Sequence, residues 1–179
     1  MAVEVLADVA HAAGLQLLEG ALVELACDDT KQLDRWLADG RVDLVVSATP
    51  SVVGTLALNT SGTGDVVIPN TGLIHAGNLT VSADNLRDSD STLTLGAASA
   101  NINLRDGATA QTWNTSFASL VLAIAGAGDF TLMDADGLTL TSASTGGNAS
   151  FTTTGANLIL AAAPAVGGNL SLGTSGSGD

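Results

Sequence analysis

From residue 52 onward the chain alternates large and small side chains in short bursts. Thr55-Leu56-Ala57-Leu58, Leu79-Thr80-Val81, Leu93-Thr94-Leu95, Ile102-Asn103-Leu104, Leu138-Thr139-Leu140 and Leu170-Ser171-Leu172 each set large apolar residues two positions apart. A period of two puts the large pair on one face of a strand and the small residue on the other. Gly, Asn and Asp separate these bursts and supply tight turns and left-handed backbone. The pattern therefore predicts a series of short strands whose buried faces carry Leu56, Leu58, Leu79, Val81, Leu93, Leu95, Ile102, Leu104, Leu138, Leu140, Leu158, Leu160, Leu170 and Leu172. Past Pro50 only the apolar run from Phe117 to Ile124 leaves helix and strand open.

The first 50 residues follow another rhythm. Apolar residues at 3, 6, 9, 10 and 13 predict a helix from Val3 to Ala13 that Gly14 ends. Leu15 to Ala26 suits one bent strand or two short ones. Asp28-Asp29-Thr30 can cap a helix from Lys31 to Asp39, stopped at Gly40, and Arg41 to Ser47, with Val42, Leu44, Val45 and Val46, reads as a buried strand. Strand, helix, strand is the economical reading of this stretch. All three Glu and the single Lys fall here, whereas the charged residues after position 48 are nine Asp with Arg87 and Arg105. The change of alphabet places a boundary near Ser47–Ser51, with residues 1–50 as a small α/β unit or cap and 51–179 as a separate array.

That array repeats. GTLALNTSGTGD (54–65) and GNLSLGTSGSGD (168–179) agree at eight of twelve positions, and Leu120-Val121-Leu122 followed by Gly126-Ala127-Gly128-Asp129 is a looser third copy. Asn78 and Asn101, each opening a similar rung, are 23 residues apart; Asn148 and Asn169 are 21 apart. A unit of about twenty residues made only of strands and turns predicts a parallel β-helix, a β-solenoid of stacked coils. One coil cannot bury its own Leu and Val; coils stacked at about 4.8 Å close a continuous apolar interior and let turn Asn bond along the stack. About six coils fit between Pro50 and Asp179. An antiparallel sandwich uses the same alternation, but rarely repeats near-identical turns.

Charge and composition narrow the partners. The formal charge is −13, which repels phosphate and excludes nucleic acid as a partner. A lone Cys27 leaves no internal disulfide and no Cys-based zinc site. No apolar run approaches the roughly 18 residues of a membrane-spanning segment, and no secretion signal follows Met1.

Candidate chemistry is sparse. His11 and His75 lie in different parts of the chain, and Asp28-Asp29 beside Cys27 would raise its pKa and blunt its nucleophilicity. Gly-x-Ser-x-Gly, phosphate-binding and His-rich motifs are missing, so no catalytic residue and no cofactor are expected. The Asp-x-Asp pairs Asp88/Asp90 and Asp134/Asp136 are the exception, since strand alternation would set each pair on one side of the backbone. Oxygen ligands at that spacing suit Ca²⁺, which makes Asp134 and Asp136 the candidate metal site; the same two would be the acids of a polysaccharide-cleaving enzyme. The twelve-residue EF-hand loop does not follow Asp134. Trp113 could stack on a sugar or pack beside Phe117. The pairs Thr92/Thr94, Thr139/Thr141 and Thr152/Thr154 match the Thr-x-Thr of flat ice-binding faces, though a Thr-rich strand composition produces them unaided.

The phrases HAGNLTVSADNLRDSDSTLTLGA (75–97), GDFTLMDADGLTLTSASTGGNASFTTTGANLIL (128–160) and VGGNLSLGTSGSGD resemble the filamentous-haemagglutinin type of large bacterial exoprotein. The resemblance covers about residues 52–179 and implies a right-handed parallel β-helix. It also implies secretion to the cell surface through a partner transporter and service as an adhesin or matrix protein that meets a host or neighbouring cell. The family's amino-terminal secretion region is missing here. The last copy stops at Asp179 where the first runs on into Val66-Val67-Ile68, so the chain is expected to be a fragment of a longer array. Residues Gln32 to Val46 are similar to a stretch of the LysR-type effector-binding domain, which carries no ligand residues across. The expected function is a rigid, non-enzymatic, adhesive rod. The alternatives are a filament subunit that self-associates through its solenoid ends, a polysaccharide-acting enzyme and, last, a small-molecule sensor built on the first 47 residues.

Overall fold

A computed structural model describes residues 23–24, 44–46, 51–60, 62–68, 73–88, 94–108 and 110–176. Among them are fourteen strands and no helix: β1 (Val23–Glu24), β2 (Leu44–Val46), β3 (Ser51–Asn59), β4 (Val66–Ile68), β5 (Leu73–Ala83), β6 (Leu86–Asp88), β7 (Thr94–Leu104), β8 (Gln111–Ile124), β9 (Phe130–Asp134), β10 (Leu138–Thr145), β11 (Ala149–Thr153), β12 (Leu158–Leu160), β13 (Ala165–Val166) and β14 (Leu170–Thr174). The helices expected at 3–13 and 31–39 lie outside the described residues. The strand expected at 41–47 is present as β2.

Pairing settles the architecture. Leu56 lies beside Leu79, Leu79 beside Ala100, Ala100 beside Leu120, Leu120 beside Leu140 and Leu140 beside Leu160. Those steps are 23, 21, 20, 20 and 20 residues, all parallel. A second column runs Gln111, Phe130, Ala149, Leu170 at steps of 19, 19 and 21. Parallel neighbours one winding apart, repeated at a nearly constant interval, make a β-solenoid of about five turns. Among the described residues β1 against β2 is the only antiparallel pair, so the sandwich alternative falls.

The ambiguous run at 117–124 belongs to β8, which is 14 residues long. Its first five residues pair with β9, and Ser119 to Ile124 pair with β10. The strand thus passes from one face of the solenoid to the next, and its alternation of buried and outward residues holds on either side of a single break at Ala118-Ser119. Helix-like hydrophobicity here reflects a strand that is long rather than one that coils.

Stacking produces columns of like residues inside. Leu56, Leu79, Leu120 and Leu140 form one, and Leu58, Val81, Ile102 and Leu122 the next, all buried. The aromatics gather in the later turns: the Phe130 ring meets Trp113 edge-on at 4.8 Å and lies 5.7 Å from Phe151. Such pairs add about 0.5–1.5 kcal/mol each beyond their burial. Trp113 is therefore a core residue, packed on Phe130 of the following turn and withdrawn from any sugar.

Glycine is required where windings touch. A Cβ on Gly146 would lie 2.7 Å from the Gly126 carbonyl oxygen, and one on Gly167 would collide with that of Gly146. This corner brings successive backbones too close for a side chain.

The sequence repeat and the structural repeat do not coincide everywhere. Leu56–Leu58 on β3 and Leu120–Leu122 on β8 share one column, three turns apart. Leu170–Leu172, despite the closer match to 54–65, stand on β14 above Ala149 and Phe151, on a different face. Leu-x-Leu followed by a Gly-rich turn says only "strand, then corner", and every face needs that. The Asn columns split likewise. Asn169 N–H donates to Asn148 Oδ1 at 2.8 Å, as stacking predicts. Asn78 instead sits beside Ser99, whose hydroxyl donates to it, while Asn101 stacks on Thr80.

Candidate functional site

Asp134 closes β9 and Asp136 lies in the corner before β10. The alternation that would align them breaks at this corner. Asp134 is wholly buried and Asp136 is exposed. Asp134 Oδ2 accepts from the Thr115 hydroxyl and the Phe117 amide, each at 2.8 Å, and Oδ1 accepts from the Asp136 amide at 3.0 Å. Its carboxylate is held by donors of its own turn and of the turn before, the charge-assisted kind of bond that an interior makes strong. The Thr154 hydroxyl, one turn on, donates to the Asp134 and Ala135 carbonyls at 3.3 Å. Asp136 Oδ2 accepts from the Ser116 hydroxyl. The two predicted ligands thus face opposite ways, with Asp134 bound from inside. Among the described residues no three His, Cys, Asp or Glu side chains come together as a metal site.

The other predicted groups disperse. Asp88 pairs through its backbone with Ile68 at the end of β6, and Asp90, His11, Cys27 and Thr92 lie outside the described residues. Thr139 stacks between Ser119 and Ile159, and Thr152 between Met133 and Gly173, so these threonines form no continuous array.

One feature that sequence reading missed is a shallow groove of about 340 Å³ running across the turns near His75, with Ala76, Gly77, Ala97, Ala98 and Ala118 in its lining. His75 stacks on Gly96, and Gly96 on Ser116. Two ladder steps put about 9–10 Å between His75 and Ser116. The signal was the run of small residues at Ala76-Gly77 and Ala97-Ala98, which leaves β5 and β7 without a large side chain there.

The second concentration of polar groups is the corner before β4 and β6. Asp65 Oδ1 accepts from the Asn85 backbone and side-chain N–H groups, both at 3.0 Å, while Oδ2 pairs with Arg87. Arg105 crosses three successive turns: its guanidinium donates to the Gly62 carbonyl at 3.1 Å and the Thr60 and Ser82 hydroxyls, and pairs with Asp84 at 3.7 Å. Burial pushes the Asp84 carboxyl above the usual range; Arg105 opposes the shift, and Asp106 and Asp65 add to it. Asn85 Oδ1 is buried without a hydrogen-bond partner. Later in the stack Asp129 Oδ1 takes the same two donors from Asn148, at 3.1 and 2.9 Å.

No described helix is long and apolar enough to cross a membrane. Comparison with family models, with curated proteins and with solved structures found no match. Fold and corner chemistry together define a parallel β-solenoid whose acidic residues join its windings.

Proposed function

We propose that this chain is a structural, non-catalytic stretch of a secreted bacterial surface or matrix protein, a stiff β-helical rod whose outer faces meet a host or neighbouring cell. The observation that supports this reading is the use of its carboxylates. Asp65, Asp129 and Asp134 each bind donors from an adjacent turn, so the side chains best suited to chemistry hold the stack together. The resemblance to filamentous-haemagglutinin rungs supplies the adhesive half of the proposal. The net charge of −13 keeps a rod with this much apolar sequence in solution.

The test is to incubate the 179-residue protein with a panel of acidic polysaccharides, with and without Ca²⁺, and to measure both retention and product. Retention on immobilised glycan or matrix protein with no new reducing ends is the expected result. Unsaturated or reducing products would replace the rod with an enzyme.

A further inference from the structure

We infer that the Asp136–Gly137 link is a modification site, at which the backbone rearranges spontaneously to isoaspartate and loosens the winding it belongs to. Asp-Gly occurs at 39–40, 106–107 and 136–137, and the last two pairs lie among the described residues. Glycine after Asp favours this reaction because no Cβ shields its nitrogen. Water is the only other reactant. The Gly137 amide nitrogen attacks Cγ of the protonated Asp136 carboxyl; an N–Cγ bond forms, the amide proton and the carboxyl hydroxyl leave as water, and a cyclic imide remains. Water then opens the imide. Addition at Cγ restores aspartate. Addition at the Asp136 backbone carbonyl breaks its bond to the nitrogen, and the chain now runs through Cβ and Cγ, one methylene longer.

The two described pairs are held differently. The Gly107 N–H donates to the Asp84 carbonyl at 3.2 Å, and the Gly107 carbonyl accepts from the Gly128 N–H at 3.1 Å. Gly107 is buried with φ at 55°, and Ile124 packs where a Cβ would stand. Attack from this nitrogen must first break a hydrogen bond and turn a peptide fixed on both sides. Asp136 and Gly137 lie in the bend between β9 and β10, Asp136 exposed and Gly137 half-buried. The Gly137 N–H donates to no described group. Both residues line the groove beside His75, which opens the link to water. Of the two pairs, this one alone combines a free nucleophile with an exposed acid.

The next winding makes the consequence specific. The Ala156 N–H donates to the Asp136 carbonyl at 3.0 Å, and the Leu138 N–H donates to the Asn157 carbonyl at 3.1 Å. Isomerisation turns that Asp136 carbonyl into the free carboxylate and inserts a methylene before Leu138, so both bonds no longer fit one register. Room is short, since even a Cβ on Gly137 would lie 3.0 Å from the Ala156 Cβ. The side-chain carboxylate that the Ser116 hydroxyl holds is also consumed.

The experiment is to age the 179-residue protein at neutral pH and locate isoaspartate by mass-spectrometric fragmentation of its peptides. Native protein should convert Asp136 at least about tenfold faster than Asp106, the ratio that about 1.4 kcal/mol of hydrogen bonding at the Gly107 amide produces. In guanidinium, where both pairs are released, the two rates should converge. Equal rates in the native protein, or a ratio that persists in the unfolded chain, would overturn the assignment. Asp136→Glu, whose longer arm closes the ring far more slowly, separates ageing at this corner from ageing elsewhere. Aged parent protein should melt lower in proportion to its isoaspartate at 136, while aged Asp136→Glu keeps its melting temperature. Converted protein that melts like fresh protein, or an aged Asp136→Glu that falls as far as the parent, would refute the loosening.

Discussion

The corners entered through Asp65 and Asp129 are spelled alike and built differently. Both follow Gly-x-Gly, both precede a strand, and both accept the backbone and side-chain N–H groups of an Asn one turn on. At Asp65 the carboxylate is buried and carries an ion pair with Arg87, and the next Asn leads nowhere: Asn85 Oδ1 has no partner. At Asp129 the carboxylate is exposed, and the ladder passes on from Asn148 to Asn169. The difference lies one turn further along. Above Asn85 the chain enters Arg105-Asp106-Gly107, and the amides of Asp106 and Gly107 both turn to the Asp84 carbonyl. Above Asn148 it presents another Gly-Asn. A four-residue motif fixes the direction of one hydrogen bond, and its neighbours on the stack decide what that bond is worth.

The largest expected effect follows from this contrast. Asp65→Ala strands two buried donors of Asn85, while the exposed Arg87 stays hydrated, and should cost about 2–3 kcal/mol. Asp129→Ala exposes its donors to water, and should cost about 1 kcal/mol or less. Urea melts of the two variants measure both. Equal losses would show that burial does not distinguish the corners.

Gly146→Ala should come second. It lies just before Asn148 on the ladder side, and its Cβ would press on the Gly126 carbonyl, a backbone atom with little room to yield. A loss of about 2 kcal/mol is expected. The same substitution at Gly54, where a Cβ meets nothing within 4 Å, should be nearly neutral. Paired thermal melts would sharpen the claim that windings on the Asp129 side are held at contact distance.

How much of this was legible in the sequence depends on range. Strands with a period of two were, because alternation is a local property; so was the interval near twenty, because turns of similar wording recur. Assignment to a face was not: Leu170-Ser171-Leu172 reads like Leu56-Ala57-Leu58 yet stacks on Ala149 and Phe151. Pairing Asn78 with Asn101 failed for a related reason. Their separation of 23 exceeds the 21-residue step at that point in the stack, so Asn78 meets Ser99. The expectation that Asp134 and Asp136 share one side fails because alternation was extended through a corner, where the chain turns and one carboxylate goes inside. The groove beside His75 is a product of stacking alone, with no single segment to announce it.

The smallest effect separates the two corners by pH. Asp84, beside Asp65 and Asp106, has its carboxyl raised above the ordinary value of 3.8, with burial as the leading cause. A carboxyl raised in the folded state binds its proton more readily there than in the unfolded chain. Its ionised form therefore costs stability at neutral pH, and that cost is relieved as pH falls through the raised value toward 3.8. Below that point both states are protonated and the gain is complete. Asp84→Asn removes the ionisation, so the variant should be slightly more stable than the parent at pH 7 and lose this part of the acid-side gain. The measurement is the difference in melting temperature between the two proteins across that acid range. The gap should close as pH falls; a gap that stayed constant would mean that Arg105 neutralises Asp84 fully, and that the charge-rich corner is no more sensitive to pH than the Asn ladder.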